Sequence, residues 1–131
     1  MPTMMTQSRS LTGQRKSDTS ILLASDSERH GTTMQRVLQR YGFAVEYAGP
    51  YTGLDGLLNG RTWDFVLLEV TGEHAVEPAV AAALRVKRGN AGQFVGYLAD
   101  ANLETSGLTG DAVFPRSAER LEGALRRYME G

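Results

Sequence analysis

No stretch of this chain restricts its fold more than Phe65-Val66-Leu67-Leu68, an unbroken apolar run that opens after Trp63-Asp64 and closes on Glu69. Alternating apolar and polar residues would mark a strand with one wet face. An unbroken run marks a strand buried on both faces, at the centre of a parallel sheet. Such a strand delivers Glu69 to its carboxyl end. In open α/β sheets that edge is where strands stop, loops with free backbone groups begin and ligands bind.

The rest of the sheet follows along the chain. Ile21-Leu22-Leu23-Ala24 is a second unbroken run, ending at Ser25-Asp26-Ser27. Ser27 or Asp26 is placed to cap a helix whose apolar Met34, Val37, Leu38 and Tyr41 recur at i, i+3, i+4 and i+7, and Gly42 stops it. Residues 43–47 read as a strand. Thr52, with Asp55 three residues on, resembles a capping box for a short helix with Leu54, Leu57 and Leu58 inward, ended by Asn59-Gly60. Pro78 suits the first turn of a third helix running to about Lys87, with Val80, Ala83 and Leu84 inward. Residues 94–98 and 112–114 are the fourth and fifth strands, and Pro115 ends the latter. Between them, residues 100–110 hold Leu103 and Leu108 but too few apolar positions for a long helix, which predicts a shortened fourth helix and exposure of both leucines. Ser117 is placed to cap a last helix with Leu121, Ala124, Leu125 and Tyr128 on one side.

Five strands alternating with helices, joined by right-handed crossovers, make a single parallel sheet. At 131 residues the economical solution is a flavodoxin-like α/β fold, strand order 2-1-3-4-5, with helices on both faces. Residues 1–19, rich in Ser, Thr, Gln and Arg, bury too little to offset their ordering entropy and read as a flexible tail or linker. Residues 20–131 are the folded domain.

Composition excludes several functions. A net charge of −1 supplies no field for nucleic acid or acidic lipid. The absence of cysteine excludes disulfides, thiolate catalysis and cysteine-ligated metal, and His30 and His74 are too far apart in sequence to suggest a histidine-rich metal site. No apolar run approaches a membrane span or a signal-peptide core, so the expectation is a soluble, cytoplasmic protein that contacts neither nucleic acid nor membrane.

The ordered set Ile21-Leu22-Leu23-Ala24-Ser25-Asp26, Tyr41-Gly42-Phe43, Trp63-Asp64-Phe65-Val66-Leu67-Leu68-Glu69 and Asp111-Ala112-Val113-Phe114-Pro115-Arg116 resembles the receiver domain of bacterial response regulators over roughly residues 20–130. The resemblance implies a site. In the family, two adjacent acids after the first strand and an aspartate after the third hold Mg²⁺, and that aspartate accepts a phosphoryl group from a histidine kinase. A Thr or Ser ending the fourth strand, and a Lys before a proline after the fifth, bind the phosphoryl oxygens, so that catalysis is positioning and charge neutralisation.

Carried over residue by residue, only Asp26 matches. Ser25 stands for the first acid, Glu69 for the acceptor aspartate, Leu98 for the hydroxyl residue, and Arg116, followed by Ser117, for the lysine and its proline. Serine removes a charged oxygen near Mg²⁺. The extra methylene of Glu69 moves the reacting oxygen by more than about 1 Å, a misplacement of a size that costs roughly a hundredfold in rate. Leu98 offers no hydrogen bond to a phosphoryl oxygen, and Arg116 keeps the cation but as a planar fork, a different shape from a lysine's point charge and not a neutral swap. Val113 occupies the position of the family's switch aromatic. The implied protein is a degenerate or pseudo-receiver, not an enzyme and without a cofactor, Mg²⁺ binding being lost or confined to Asp26 and Glu69.

Glu69 then has three readings: a tolerated polar residue at a solvated edge, a fixed negative charge imitating part of a phosphorylated aspartate with Arg116 as candidate partner, or a retained ligand or phosphoryl site. Asp26 reads as a helix cap more readily than as a metal ligand. Without a metal, repulsion between Asp26 and Glu69 calls for compensation, with Arg116 and Arg29 as candidates. The function expected is phosphorylation-independent contact with a signalling protein (a histidine kinase, regulator or output domain) or with a second copy, through the first-helix face near residues 29–39 or the face of residues 100–131. The alternatives are a weakly phosphorylatable receiver and a sensor holding a nucleotide or other small anion in the carboxyl-edge cleft.

Other patterns fail. Gly49, Gly53, Gly56 and Gly60 match neither the dinucleotide fingerprint nor the P-loop. Residues 26–31 have Glu28 where a cobalamin-binding loop needs histidine, and the arginines of the last helix alternate with Glu119 and Glu122 as an ordinary mixed-charge face.

Overall fold

The computed structural model describes residues 19–100, 103, 108 and 110–130. Five strands, β1 Ser20–Ser25, β2 Ala44–Gly49, β3 Phe65–Val70, β4 Val95–Ala99 and β5 Ala112–Phe114, form a parallel sheet in the order β2-β1-β3-β4-β5. This is the flavodoxin-like receiver fold. The helices are α1 Glu28–Arg40, α2 Leu54–Leu57, α3 Val76–Gly89 and α4 Ala118–Glu130, with 3-10 turns at Tyr51–Gly53 and Glu73–Ala75 leading into α2 and α3. None of the helices among the described residues is long and apolar enough to cross a membrane. Of the expected tail, residues 1–19, all but Thr19 lie outside the described residues, as does most of the expected short fourth helix; Thr19 itself is buried, its carbonyl accepting from Ala44 N–H, so the folded part begins one residue earlier.

All six residues of β3 are buried, as its unbroken apolar run requires. Successive side chains go to opposite faces. Leu22, Val66, Leu68, Val70, Val95 and Tyr97 pack under α2 and α3, with Leu54, Ala79, Ala82, Ala83 and Val86. Ile21, Leu23, Phe65, Leu67, Leu98 and Phe114 pack under α1 and α4, with Met34, Leu38, Leu121 and Leu125. Gly42 follows the Tyr41 C-cap of α1 at φ 101°, a left-handed conformation that glycine adopts without strain, so the chain turns there into β2.

Several local expectations are corrected. Leu84 is 54% exposed, because the small residues Ala79, Ala82, Ala83 and Val86 face the sheet and Leu84 lies on the far side of α3. Thr52 caps nothing: it sits in the 3-10 turn, α2 starts without a side-chain cap, and Asp55 instead lies 3.7 Å from Arg85. Leu103 is buried and Leu108 packs beside it against the α2/α3 core, so neither is laid bare. Tyr128 is half exposed, although its ring meets Phe94 and Phe114 edge-on.

Candidate functional site at the carboxyl edge of the sheet

The parallel register aligns Ser25 with Glu69, Glu69 with Leu98, and Leu98 with Phe114, one row across four strands. Glu69 stands two residues after Leu67 and so faces the α1/α4 side. It is only 1% exposed. A carboxylate so enclosed needs a partner, since isolated burial of charge is costly. Arg116 supplies one: its Nε donates to Glu69 Oε2 at 3.1 Å, and Nη1 donates to Asp100 Oδ2 at 3.1 Å. Arg116 comes two residues after the end of β5 and Asp100 one residue after β4, so the ion network ties the ends of three strands. Burial works against the Arg116 charge, but hydrogen bonding and attraction to Glu69 and Asp100 prevail and hold its pKa above the ordinary value. Glu69 Oε1 is buried without a hydrogen-bond partner, and the aligned Leu98 offers it none.

Asp26 has a different set of partners. Its Oδ1 accepts from the Thr71 backbone N–H at 2.8 Å, and Oδ2 accepts from the Thr71 hydroxyl at 2.5 Å, with His74 Nε2 at 3.1 Å. The expected capping role belongs to Ser27, whose hydroxyl accepts from His30 N–H. Asp26 instead bridges the β1 end to the loop after β3. The Ser25 hydroxyl accepts from Ser27 N–H at 3.1 Å. Above β3, the buried Tyr51 donates its hydroxyl to the Glu69 carbonyl at 2.7 Å.

The field in this cleft is negative. Burial first, then the charges of Asp26 and Glu69, push the Tyr51 phenol well above its ordinary range. Tyr47 is also raised, by burial and by Glu28, Glu69 and Asp26. The residues do not fit the Mg²⁺ that the receiver resemblance implies: near-octahedral Mg²⁺ needs available oxygens, whereas Asp26 is engaged on both oxygens and Glu69 Oε2 is held by Arg116. Among the described residues no group of three or more His, Asp or Glu side chains is placed to hold a metal ion.

The structure therefore brings Ser25, Asp26, Glu69, Leu98 and Arg116 to one edge, and pairs Arg116 with Glu69. Arg29 is exposed on α1 and takes no part. Val113, at the switch-aromatic position, is 40% exposed on β5. Thr71, His74, Tyr51 and Asp100 escape sequence reasoning. The one available signal was at Thr71, a hydroxyl directly after a strand end, where a free backbone N–H also waits.

No protein-family model matches the chain, and no curated protein matches it. Solved structures do. The signal receiver domain of an HD domain-containing protein from Pseudomonas fluorescens Pf-5 is 18% identical, TM-score 0.64, covering 87% of this chain and 88% of that one. The N-terminal domain of a response regulator/sensory box/GGDEF 3-domain protein from Carboxydothermus hydrogenoformans is 23% identical, TM-score 0.59, covering 85% and 97%. A CheY-like response regulator receiver domain from Methylobacillus flagellatus is 16% identical, TM-score 0.59, covering 82% and 96%. At these identities the likeness is one of fold.

Proposed function

We propose that this chain is a pseudo-receiver of a bacterial two-component or related signalling system, acting in the cytoplasm, without catalysis, through phosphorylation-independent contact with another signalling protein. The observation that carries this reading is the buried Glu69–Arg116 ion pair at the place where a receiver keeps its phosphoryl acceptor. An acceptor must present a free carboxylate oxygen to the donor. Glu69 has one oxygen held by Arg116 and the other enclosed. The aligned Leu98 leaves the developing charge without a donor. The same ion network joins the ends of β3, β4 and β5 through Asp100, a fixed linkage at the positions where the receiver resemblance places the phosphoryl-binding residues. Glu69 carries a single charge against about −1.5 to −2 for a phosphoryl group, so the imitation is partial.

The test is incubation of the purified chain with a small phosphodonor and Mg²⁺, read on a phosphate-affinity gel beside Glu69→Gln. No shifted band is expected from either protein. A band present in the parent and lost in Glu69→Gln would replace this reading with that of a weakly phosphorylatable receiver.

A further inference from the structure

The outward face of α1 carries a basic stripe. Arg29, Thr33, Arg36 and Arg40 are all exposed, and at 3.6 residues per turn they share an arc of about 60°. The buried positions of the helix, Gly31, Met34 and Leu38, centre about 160° away, so the stripe points almost directly from the core. Arg61, Arg85, Lys87, Arg116 and Arg126 each lie within ion-pair reach of an acid. The three arginines of α1 have no such partner among the described residues. Arg88, Arg120 and Arg127 also have no ion-pair partner among the described residues, but Arg88 is a single charge in the last turn of α3 beside the paired Lys87, and Arg120 and Arg127 alternate with Glu119, Glu122 and Glu130 on α4. On α1 the only acid is Glu28, at the N-terminal end where it complements the helix dipole. Three arginines less one glutamate leave α1 at +2 on a chain of net charge −1.

We propose that this face docks an acidic helical segment of a protein partner, each guanidinium gripping a carboxylate. The proposal rests on the protein-contact reading above and names the partner's chemistry. Guanidinium forks match carboxylates bidentately. Along α1 the arginines are spaced by about 10.5 Å and then about 6 Å, distances that acids on one face of a second helix reproduce. Nucleic acid fits less well: three phosphate contacts fall short of the roughly 6–10 typical of strongly salt-dependent binders. The neighbouring polar groups are not free to read bases, since Thr32 and Thr33 donate to carbonyls of their own helix and Gln35 and Gln39 to the Val45 carbonyl. A membrane surface fits less well too, because the stripe has no apolar residue to insert.

The experiment is a backbone amide NMR titration of the whole chain with a synthetic alanine-rich helix bearing glutamates at i, i+7 and i+11, beside a scrambled peptide of the same composition, a DNA duplex and phosphatidylserine vesicles. Saturable shifts confined to α1 are expected from the ordered peptide alone. Arg36→Glu should weaken that binding about tenfold, and a triple Arg29→Glu, Arg36→Glu, Arg40→Glu protein should instead bind the lysine version of the peptide. Because these side chains face solvent, the variants are expected to keep the parent spectrum elsewhere. Equal binding of the scrambled peptide, no binding of the ordered one, or tighter α1 binding of DNA or vesicles overturns the proposal. Any of these leaves the phosphodonor result untouched, so the two readings fail separately.

Discussion

Replacing Arg116 by alanine strands a carboxylate that is 1% exposed. Removing one partner of a buried ion pair costs about 3–5 kcal/mol, because the remaining charge keeps its desolvation penalty. Two features place Arg116→Ala near the lower end. The Arg116 side chain is itself 19% exposed, so water reaches the vacated space, and Asp100, at 54%, is solvated without it. A loss of about 3 kcal/mol in a domain of this size lowers the melting temperature by roughly 12 °C. Combining Arg116→Met with Glu69→Gln removes both charges and should recover most of the loss. Urea denaturation at pH 7 measures all three proteins. A cost for Arg116→Ala below about 1 kcal/mol, the worth of a surface pair, would refute the reasoning, as would a double variant no more stable than the single one.

Other perturbations probe supports at both edges of the sheet. Asp111 bonds Lys87 at 2.7 Å and accepts from Val95 N–H at 2.8 Å; burial opposes its charge, but these bonds prevail and lower its pKa. Its contribution is therefore present above the unfolded carboxylate range and lost as pH falls through the lower folded value. The stability difference between parent and Asp111→Asn should stay flat above about pH 5 and decline below about pH 4 in pH-resolved denaturation. Gly53→Ala would put a Cβ 2.2 Å from the Ala48 carbonyl oxygen, in the backbone, and should cost about 1–3 kcal/mol by thermal melting. Asp26→Ala leaves the Thr71 N–H and hydroxyl without their acceptor and should cost about 1–3 kcal/mol, with amide exchange at Thr71 accelerated.

The strand order was legible because β1 and β3 are unbroken apolar runs, and parallel strands joined by helices admit few topologies. The alignment of Ser25, Glu69 and Leu98 followed from the ends of those strands. The partners were less legible. Asp26 meets Thr71 and His74 across 45 and 48 residues, and Arg116 meets Asp100 after a separate strand. Such contacts depend on how loops leave the sheet, and loops carry no period from which a contact can be read. Leu84 misled because three alanines and a valine, individually weak signals, face the sheet where a helix must approach closely. Asp26 misled because an acid before a helix is a good cap only if no better-placed donor competes, and the Thr71 N–H does.

The central claim is that the Glu69–Arg116 pair stands where a phosphoryl switch would be. Its most direct test is a backbone amide NMR titration with Mg²⁺ and then beryllofluoride, a phosphoryl mimic. The account predicts that the resonances of Asp26, Glu69, Leu98 and Arg116 stay still at millimolar Mg²⁺ and after beryllofluoride. Saturable shifts spreading from Glu69 toward Asp100 and Arg116 would contradict it.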